Sequence, residues 1–401
     1  MKNIKVSLIA AIATHGFGSI LLDFLIIWTV ARNSDSITEV AFLIGSSLFF
    51  RSATAMFTGI LVDSHNKKKL AIIASIISVV LVFMVGMVPL ITQNIFVAVA
   101  VILINDLNNN LFSNSLMIMA SKCLAKEEFI KYQATESIAT RTLVILANIL
   151  SGILLAFASN SLIAMLTALA FLISTIIIFV FIKFSENESK NIASNSIITG
   201  INNIAKNTIY SFKSVMNITF LRTFVIIMLL LNLAYGYIPR VLPVVITSLD
   251  DNPMALGLIR SAMAIGEIAG LMLVAKLGKY VSRLFKIGIG GSAICILLLI
   301  FPNPFILVVA FFLYGFFDSL TQPLFSYTVM SIEPDNRAKI LAGIDTIILL
   351  SPILGIWLGT VLFENFQILL YAYLSLVFIL ALAISHRSSF FKNIIVSDEE
   401  N

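Results

Sequence analysis

Long apolar runs separated by short polar breaks dominate this chain. A helix that crosses a bilayer core needs about 20 consecutive, mostly apolar residues. Runs of that kind fall at 8–30, 40–62, 70–91, 95–120, 138–158 and 162–181. After a polar stretch at 183–217 they resume at 220–246, 254–277, 285–301, 305–330, 340–363 and 368–385. Strands of an outer-membrane barrel alternate apolar and polar residues, and these runs do not. A helix pairs its backbone N–H and C=O groups within itself, as a water-free core demands. The pattern therefore predicts an all-α membrane protein with about twelve transmembrane helices.

The polar stretch, rich in Asn, Ser and Lys, divides the chain. It predicts an N-terminal six-helix half at 1–183, a cytoplasmic linker at 184–219, a C-terminal six-helix half at 220–386 and a cytoplasmic tail at 387–401. The linker has the composition for a helix lying on the membrane surface. The halves echo one another. Arg51-Ser52-Ala53-Thr54-Ala55 in the second run matches Arg260-Ser261-Ala262-Met263-Ala264 in the eighth. Leu111-Phe112-Ser113 in the fourth matches Leu324-Phe325-Ser326 in the tenth, with Asp106 and Asp318 shortly before them. The order of the matches predicts two pseudo-symmetric bundles, a plan in which solute sites lie near mid-membrane.

Composition agrees. Apolar residues make up 59% of the chain and charged residues 12%, against about 25% charged in soluble domains, so a water-exposed surface of ordinary kind is excluded. The net charge of +5 would suggest nucleic acid in a soluble protein. Here the cations collect in alternate loops: Lys67 to Lys69, then Lys122, Lys126 and Lys131, then Lys276, Lys279, Arg283 and Lys286, then Arg337 and Lys339. Arg32 and Arg240 alone fall in the opposite loops. By the positive-inside rule both termini are cytoplasmic in a multi-pass plasma-membrane protein. The first run lacks a small-residue cleavage site and is long enough to remain a span. Cys123 and Cys295, the two cysteines, fall in a cytoplasmic loop and a span, where no disulfide is expected.

The loop after the second run reads Gly59-Ile60-Leu61-Val62-Asp63-Ser64-His65-Asn66-Lys67-Lys68-Lys69-Leu70. It resembles the signature loop of the major facilitator superfamily, Gly-x-Leu-Ala-Asp-Arg-x-Gly-Arg-Arg-x-Leu. Gly59, Leu61, Asp63, Lys67, Lys68 and Leu70 match in type, whereas Val62, Ser64 and Asn66 depart from it. Gly59 permits close helix approach. Asp63 sits at a helix C-terminus, where the dipole disfavours an acid, so it needs a positive partner. The resemblance implies that this partner is the start of the eleventh span near Arg337, forming a cytoplasmic gate of Gly59, Asp63, Lys67, Lys68 and Arg337; a merely solvated basic loop is the alternative. Within the superfamily the layout resembles the macrolide-efflux and siderophore-export branch, through Glu127-Glu128-Phe129 to Gly152 and through Glu333-Pro334-Asp335-Asn336-Arg337. Of the Gly-rich antiporter motif in span five, Ala147 to Gly152 retains only Gly152.

Ionisable groups within spans are costly and face partners or aqueous cavities. The candidates for substrate binding or proton coupling are Asp23, Arg51, Asp106, Arg260, Glu267 and Asp318. The resemblance implies that spans one, four, seven and ten line the cavity, which favours Asp23, Asp106 and Asp318. Asp23 either exchanges a proton or pairs internally, for instance with Arg51. Asp106 heads a polar run from Asn105 to Asn110. Arg51 and Arg260 either pair with the acids or hold an anionic solute. Asp345 caps the eleventh span, and His15 is read as a packed or hydrogen-bonding residue.

No phosphate-binding Gly-x-x-x-x-Gly-Lys-Ser/Thr loop occurs, and no His/Cys cluster has metal-ligand spacing. No enzyme constellation, cofactor or nucleic-acid partner is expected. The expected function is proton-coupled export of a small drug-like or amphipathic compound by a monomer embedded in lipid. The alternatives are export of a siderophore or other anionic metabolite, and a non-transporting sensor or assembly partner.

Overall fold

The computed structural model describes residues 2–33, 36–87, 94–124, 126–182, 216–249, 252–277, 280–301, 303–330, 344, 347–348 and 350–387. Asp345 and Arg337 lie outside them, as do the linker at 184–215 and the tail beyond residue 387.

All regular structure among the described residues is helical. The first six helices are α1 (Lys2–Asn33), α2 (Ile37–Ser64), α3 (Lys67–Met87), α4 (Ile95–Cys123), α5 (Lys126–Phe157) and α6 (Asn160–Phe181). They are followed by α7 (Thr219–Tyr237), α8 (Leu242–Leu249), α9 (Pro253–Leu277), α10 (Val281–Leu298), α11 (Pro304–Ser319), α12 (Gln322–Met330), α13 (Leu350–Asn365) and α14 (Gln367–Arg387). Short polar residues set the starts. Ser36 accepts from Thr38 N, Asn94 from Phe96 N and Ser159 from Leu162 N. Asn303 accepts from Phe305 N and Ile306 N, with Pro304 in the first turn, where its missing N–H costs nothing.

Ten spans among the described residues are long and apolar enough to cross a membrane. Their outer faces carry large exposed apolar side chains, such as Ile73, Ile76, Val80, Phe83 and Met84 along α3. In water such a stripe would be an aggregation site. Against acyl chains it costs nothing.

The seventh and tenth runs, read from sequence as single spans, are each broken. Pro239 and Pro243 interrupt the seventh, which leaves helix at Tyr237 and re-enters it at Leu242. Pro323 offers no N–H to the Ser319 carbonyl and its ring crowds that carbonyl, so α11 stops at Ser319 and α12 begins at Gln322. Broken helices at membrane depth are tolerated where the loosened backbone is enclosed by protein or faces a wet cavity.

The chain forms two compact units, residues 1–198 with 244–257 and residues 199–243 with 258–401. In the first, α1 packs on α5 and α6, α3 on α4 and α6, and α2 on α4. In the second, α7 packs on α13 and α14, and α10 on α11 and α14. Pairing α1 with α7, α3 with α10, α4 with α11, α5 with α13 and α6 with α14 carries the α1–α5, α1–α6, α3–α4 and α3–α6 packings onto α7–α13, α7–α14, α10–α11 and α10–α14, the repeat expected from the sequence echoes. The end of the first unit near the start of α1 is held by an apolar cluster of Leu8, Ala71, Ala74, Phe112, Leu116, Met119, Tyr132 and Ile178.

In the second unit α7 and α13 meet backbone to backbone. A Cβ on Gly236 would strike Pro352, and one on Gly355 would strike the Leu233 carbonyl. The Ser351 hydroxyl donates to Leu229 O in the same seam. Small residues allow this approach where no hydrophobic effect drives helices together. Gly355→Val is expected to destabilise the protein by about 1–3 kcal/mol, the usual cost of overpacking. A lowered melting temperature in detergent checks it, and an unchanged one would show the seam to be loose.

Candidate functional site

In each unit the polar side chains gather on the first and fourth spans. On α1, His15, Ser19 and Asp23 recur every fourth residue and so share one face. They meet Asn105 and Asn109 of α4. Asn105 Nδ2 donates to Asp23 Oδ1 at 3.1 Å and to Ser19 Oγ at 3.2 Å. Asn109 Nδ2 donates to Ser19 Oγ at 2.5 Å, which leaves its Oδ1 to accept from His15 Nε2 at 3.0 Å. The imidazole therefore carries its proton on Nε2, and its Nδ1 lies 3.4 Å from Ser75 Oγ. Thr175 donates to Ser75 Oγ at 2.9 Å. The chain of contacts thus runs from Asp23 across α1, α4 and α3 to α6. The His15 ring, 2% exposed, stacks on Phe112 with centroids 3.7 Å apart and planes 7° apart. The network is closed save for Asn105 Oδ1, which is buried without a hydrogen-bond partner.

Asp106 lies on another face of α4. It is 2% exposed and accepts from Ser47 of α2 at 2.6 Å. The next turns of α4 tie to α2 as well: Asn110 donates to Arg51 O at 3.0 Å, and Asn114 to Thr58 Oγ1 at 3.2 Å. Arg51 is exposed, and in these contacts it offers a backbone carbonyl.

The second unit is open where the first is closed. A cavity of about 370 Å³ is lined by Met228, Asn232 and Tyr235 of α7, by Asp318 and Thr321 at the break between α11 and α12, and by Gln322 and Phe325 of α12. The spacing puts each set on one helical face. Asn232 Nδ2 donates to Met228 O at 2.8 Å, and the Thr321 hydroxyl donates to Asp318 O at 2.7 Å. The buried Tyr235 hydroxyl faces Asp318 and Thr321 without a hydrogen bond of normal geometry. Tyr314, fully enclosed behind the cavity, lies within electrostatic reach of Asp318, Tyr235 and Glu267. Arg260 and Glu267 are half-buried on α9.

One constant shift along the chain carries His15, Ser19, Asn105, Asn109 and Phe112 onto Met228, Asn232, Asp318, Gln322 and Phe325. The counterpart of Asp318 is thus Asn105, not Asp106, which corresponds to Ser319. Asp106 lies five residues before Leu111 and Asp318 six before Leu324, and that difference is the one-residue offset between them. Sequence reasoning singled out Asp318 and missed Asn232, Tyr235, Thr321 and Gln322. Their signal was present: polar residues three and four apart on apolar spans, followed by Pro323.

Of the expected gate, Lys68 is committed within its own unit. Its ammonium donates to Phe179 O at 3.2 Å and Ile182 O at 2.7 Å, the last carbonyls of α6, where a cation suits the helix dipole. Lys67 is buried at the start of α3. Gly59 and Asp63 fall on α2, with side-chain surroundings that are not described, and Arg337 lies outside the described residues.

These features define a polytopic helical membrane transporter built from a duplicated bundle. The sequence matches the family profile described as Major Facilitator Superfamily over residues 8–286 and 224–391, and the chain belongs to that superfamily. No curated relative matches it in sequence. Among solved structures it is similar to the nucleoside transporter NupG, with TM-score 0.71 and 17% identity over 96% of this chain and 98% of that one. It is also similar to a D-xylose–proton symporter, with TM-score 0.68 and 14% identity over 96% and 97% of the two chains. At these identities the likeness is one of fold.

Asn109→Leu removes the acceptor of the His15 N–H and a donor to Ser19. It is expected to cost about 1–3 kcal/mol through the buried donor left behind. Thermal unfolding of the purified protein checks this, and a neutral result would show that the network relaxes around the loss.

Proposed function

We propose that this chain is a proton-coupled secondary transporter that exports a small amphipathic compound by alternating access. The observation that carries the reading is Asp318, a carboxylate on the wall of an intramembrane cavity at a broken helix. Ionisable groups in such places mark solute and ion pathways, and discontinuous helices form such sites in other transporters. Loss and gain of a proton at Asp318 would switch the wall between charged and neutral states, and so tie solute occupancy to the proton gradient. Proton coupling is also named for one of the fold neighbours, the D-xylose–proton symporter. Export rather than import rests on the sequence resemblance to efflux carriers.

The same lining weighs against a polyanionic cargo such as a siderophore. Among the described residues around the cavity there is a carboxylate and no cationic side chain. Asp23 and Asp106 belong to this reading as structural acids, held by Asn105 and Ser47. We further propose cytoplasmic termini, a cytoplasmic linker at 184–219 and a gate at the Gly59–Leu70 loop.

The test compares the small-molecule contents of cells and medium by mass spectrometry. Cells expressing the wild type, Asp318→Asn or neither are each measured with and without a protonophore. A compound depleted inside and enriched outside only with wild type and an intact gradient is the expected result. The uncharged variant should lose at least about tenfold of that export, the loss of roughly 1.4 kcal/mol of stabilisation. Export that survives both the protonophore and the substitution would refute the coupling, and accumulation inside the cells would reverse the direction.

A further inference from the structure

We infer that the group held in the second-unit cavity is a protonated amine carried on an apolar or aromatic frame. This rests on the reading of the cavity as the solute site and adds the chemistry of the solute. The donors and acceptors of the wall decide what it can hold. Thr321 spends its one hydroxyl proton on Asp318 O, so only lone pairs remain for a guest. Asn232 spends one Nδ2–H on Met228 O of its own helix, which leaves its carbonyl oxygen and its second N–H. Ionised Asp318 offers acceptors alone.

Two groups of the wall, Asp318 and Thr321, therefore only accept, while Asn232, Gln322 and the Tyr235 hydroxyl can do either. A guest that meets such a wall must bring hydrogen-bond donors. With one carboxylate and no cationic side chain among the described lining residues, the favourable charge on that guest is positive. Phe325 and Tyr235 add aromatic surface, which attracts a cation over its face, and Met228 adds an apolar one. An ammonium supplies up to three donors and a positive charge in one group. A neutral alcohol supplies one donor, and a carboxylate supplies none while repelling Asp318.

The same comparison within the chain sharpens the point. In the first unit Asn105 stands where Asp318 stands in the second. There the neighbouring Asn109 and Ser19 are consumed by contacts with His15 and each other. The carboxylate at this position, on the wall of a cavity, is what the second unit has and the first lacks. A bound ammonium and a bound proton would compete for one carboxylate, with Tyr235, Tyr314 and Glu267 as the other titratable groups facing the region.

The experiment is equilibrium dialysis of the purified full chain in detergent against a matched trio of labelled probes: phenethylamine, phenethyl alcohol and phenylacetate. The expected result is an amine affinity at least about tenfold above that of the alcohol, with the acid weaker still. That preference should collapse in Asp318→Asn and narrow in Thr321→Val, so the second variant decides if the first does not fold. The inference is overturned if the alcohol or the acid binds as tightly as the amine. It is also overturned if the amine does not bind, or if both variants keep the full preference. Proton movement into liposomes carrying the wild type, driven by an amine gradient, is read separately. Amine preference without proton movement upholds this inference and sinks the coupling. Proton-linked flux of the alcohol in preference to the amine upholds transport and sinks the inference.

Discussion

Inside a bilayer a polar group has no water to fall back on, and that constraint organises this molecule. Backbone groups satisfy it by forming helices, and side chains satisfy it by finding each other. In the first unit His15, Ser19, Asp23, Asn105, Asn109, Ser75 and Thr175 form one connected set. With the His15–Phe112 stack, that set locks α1, α3, α4 and α6 together. In the second unit the equivalent positions satisfy the constraint differently. The backbone breaks at Leu320, and Asp318 and its neighbours face a cavity; each unit keeps a buried polar atom without a normal partner, Asn105 Oδ1 in the first and the Tyr235 hydroxyl in the second. A duplicated framework thus forms a brace in one unit and the wall of a cavity in the other.

That division explains why helix packing can be tight beside an opening. Next to the cavity α7 is pinned to α13 through Gly236 and Gly355, with atoms too close for any side chain. Rigid neighbours let a broken helix keep its geometry, and precise placement of a few groups is what solute recognition needs. The cavity wall can then hold a charge because its surroundings do not collapse onto it.

The sequence was readable to different depths at different scales. Span count, helical class and the duplicated plan came from apolar run lengths, since the bilayer imposes a length on each element. The loop from Gly59 to Leu70 brought out the family. The helix breaks were legible in principle, because Pro239, Pro243 and Pro323 stand inside apolar runs, but hydropathy alone smooths over them. Charges drew the eye to Arg51, which is exposed, and to Asp106, which Ser47 satisfies. Neutral polar residues such as Asn232 and Gln322 carry no such flag, although they line the cavity. Which face of a helix meets an opening depends on neighbours distant in the chain, and here a one-residue register decides whether Asn105 or Asp106 matches Asp318.

The central claim is that the second unit offers an open polar site where the first is closed. Paired cysteine accessibility tests it most directly. Gln322→Cys and its counterpart Asn109→Cys would each be made in a chain whose Cys123 and Cys295 are replaced by Ser, then treated with a small water-soluble thiol reagent. The account predicts fast labelling at position 322 and labelling at position 109 slower by about tenfold or more, since a closed network must open before reagent enters. Equal rates, or faster labelling at 109, would contradict it.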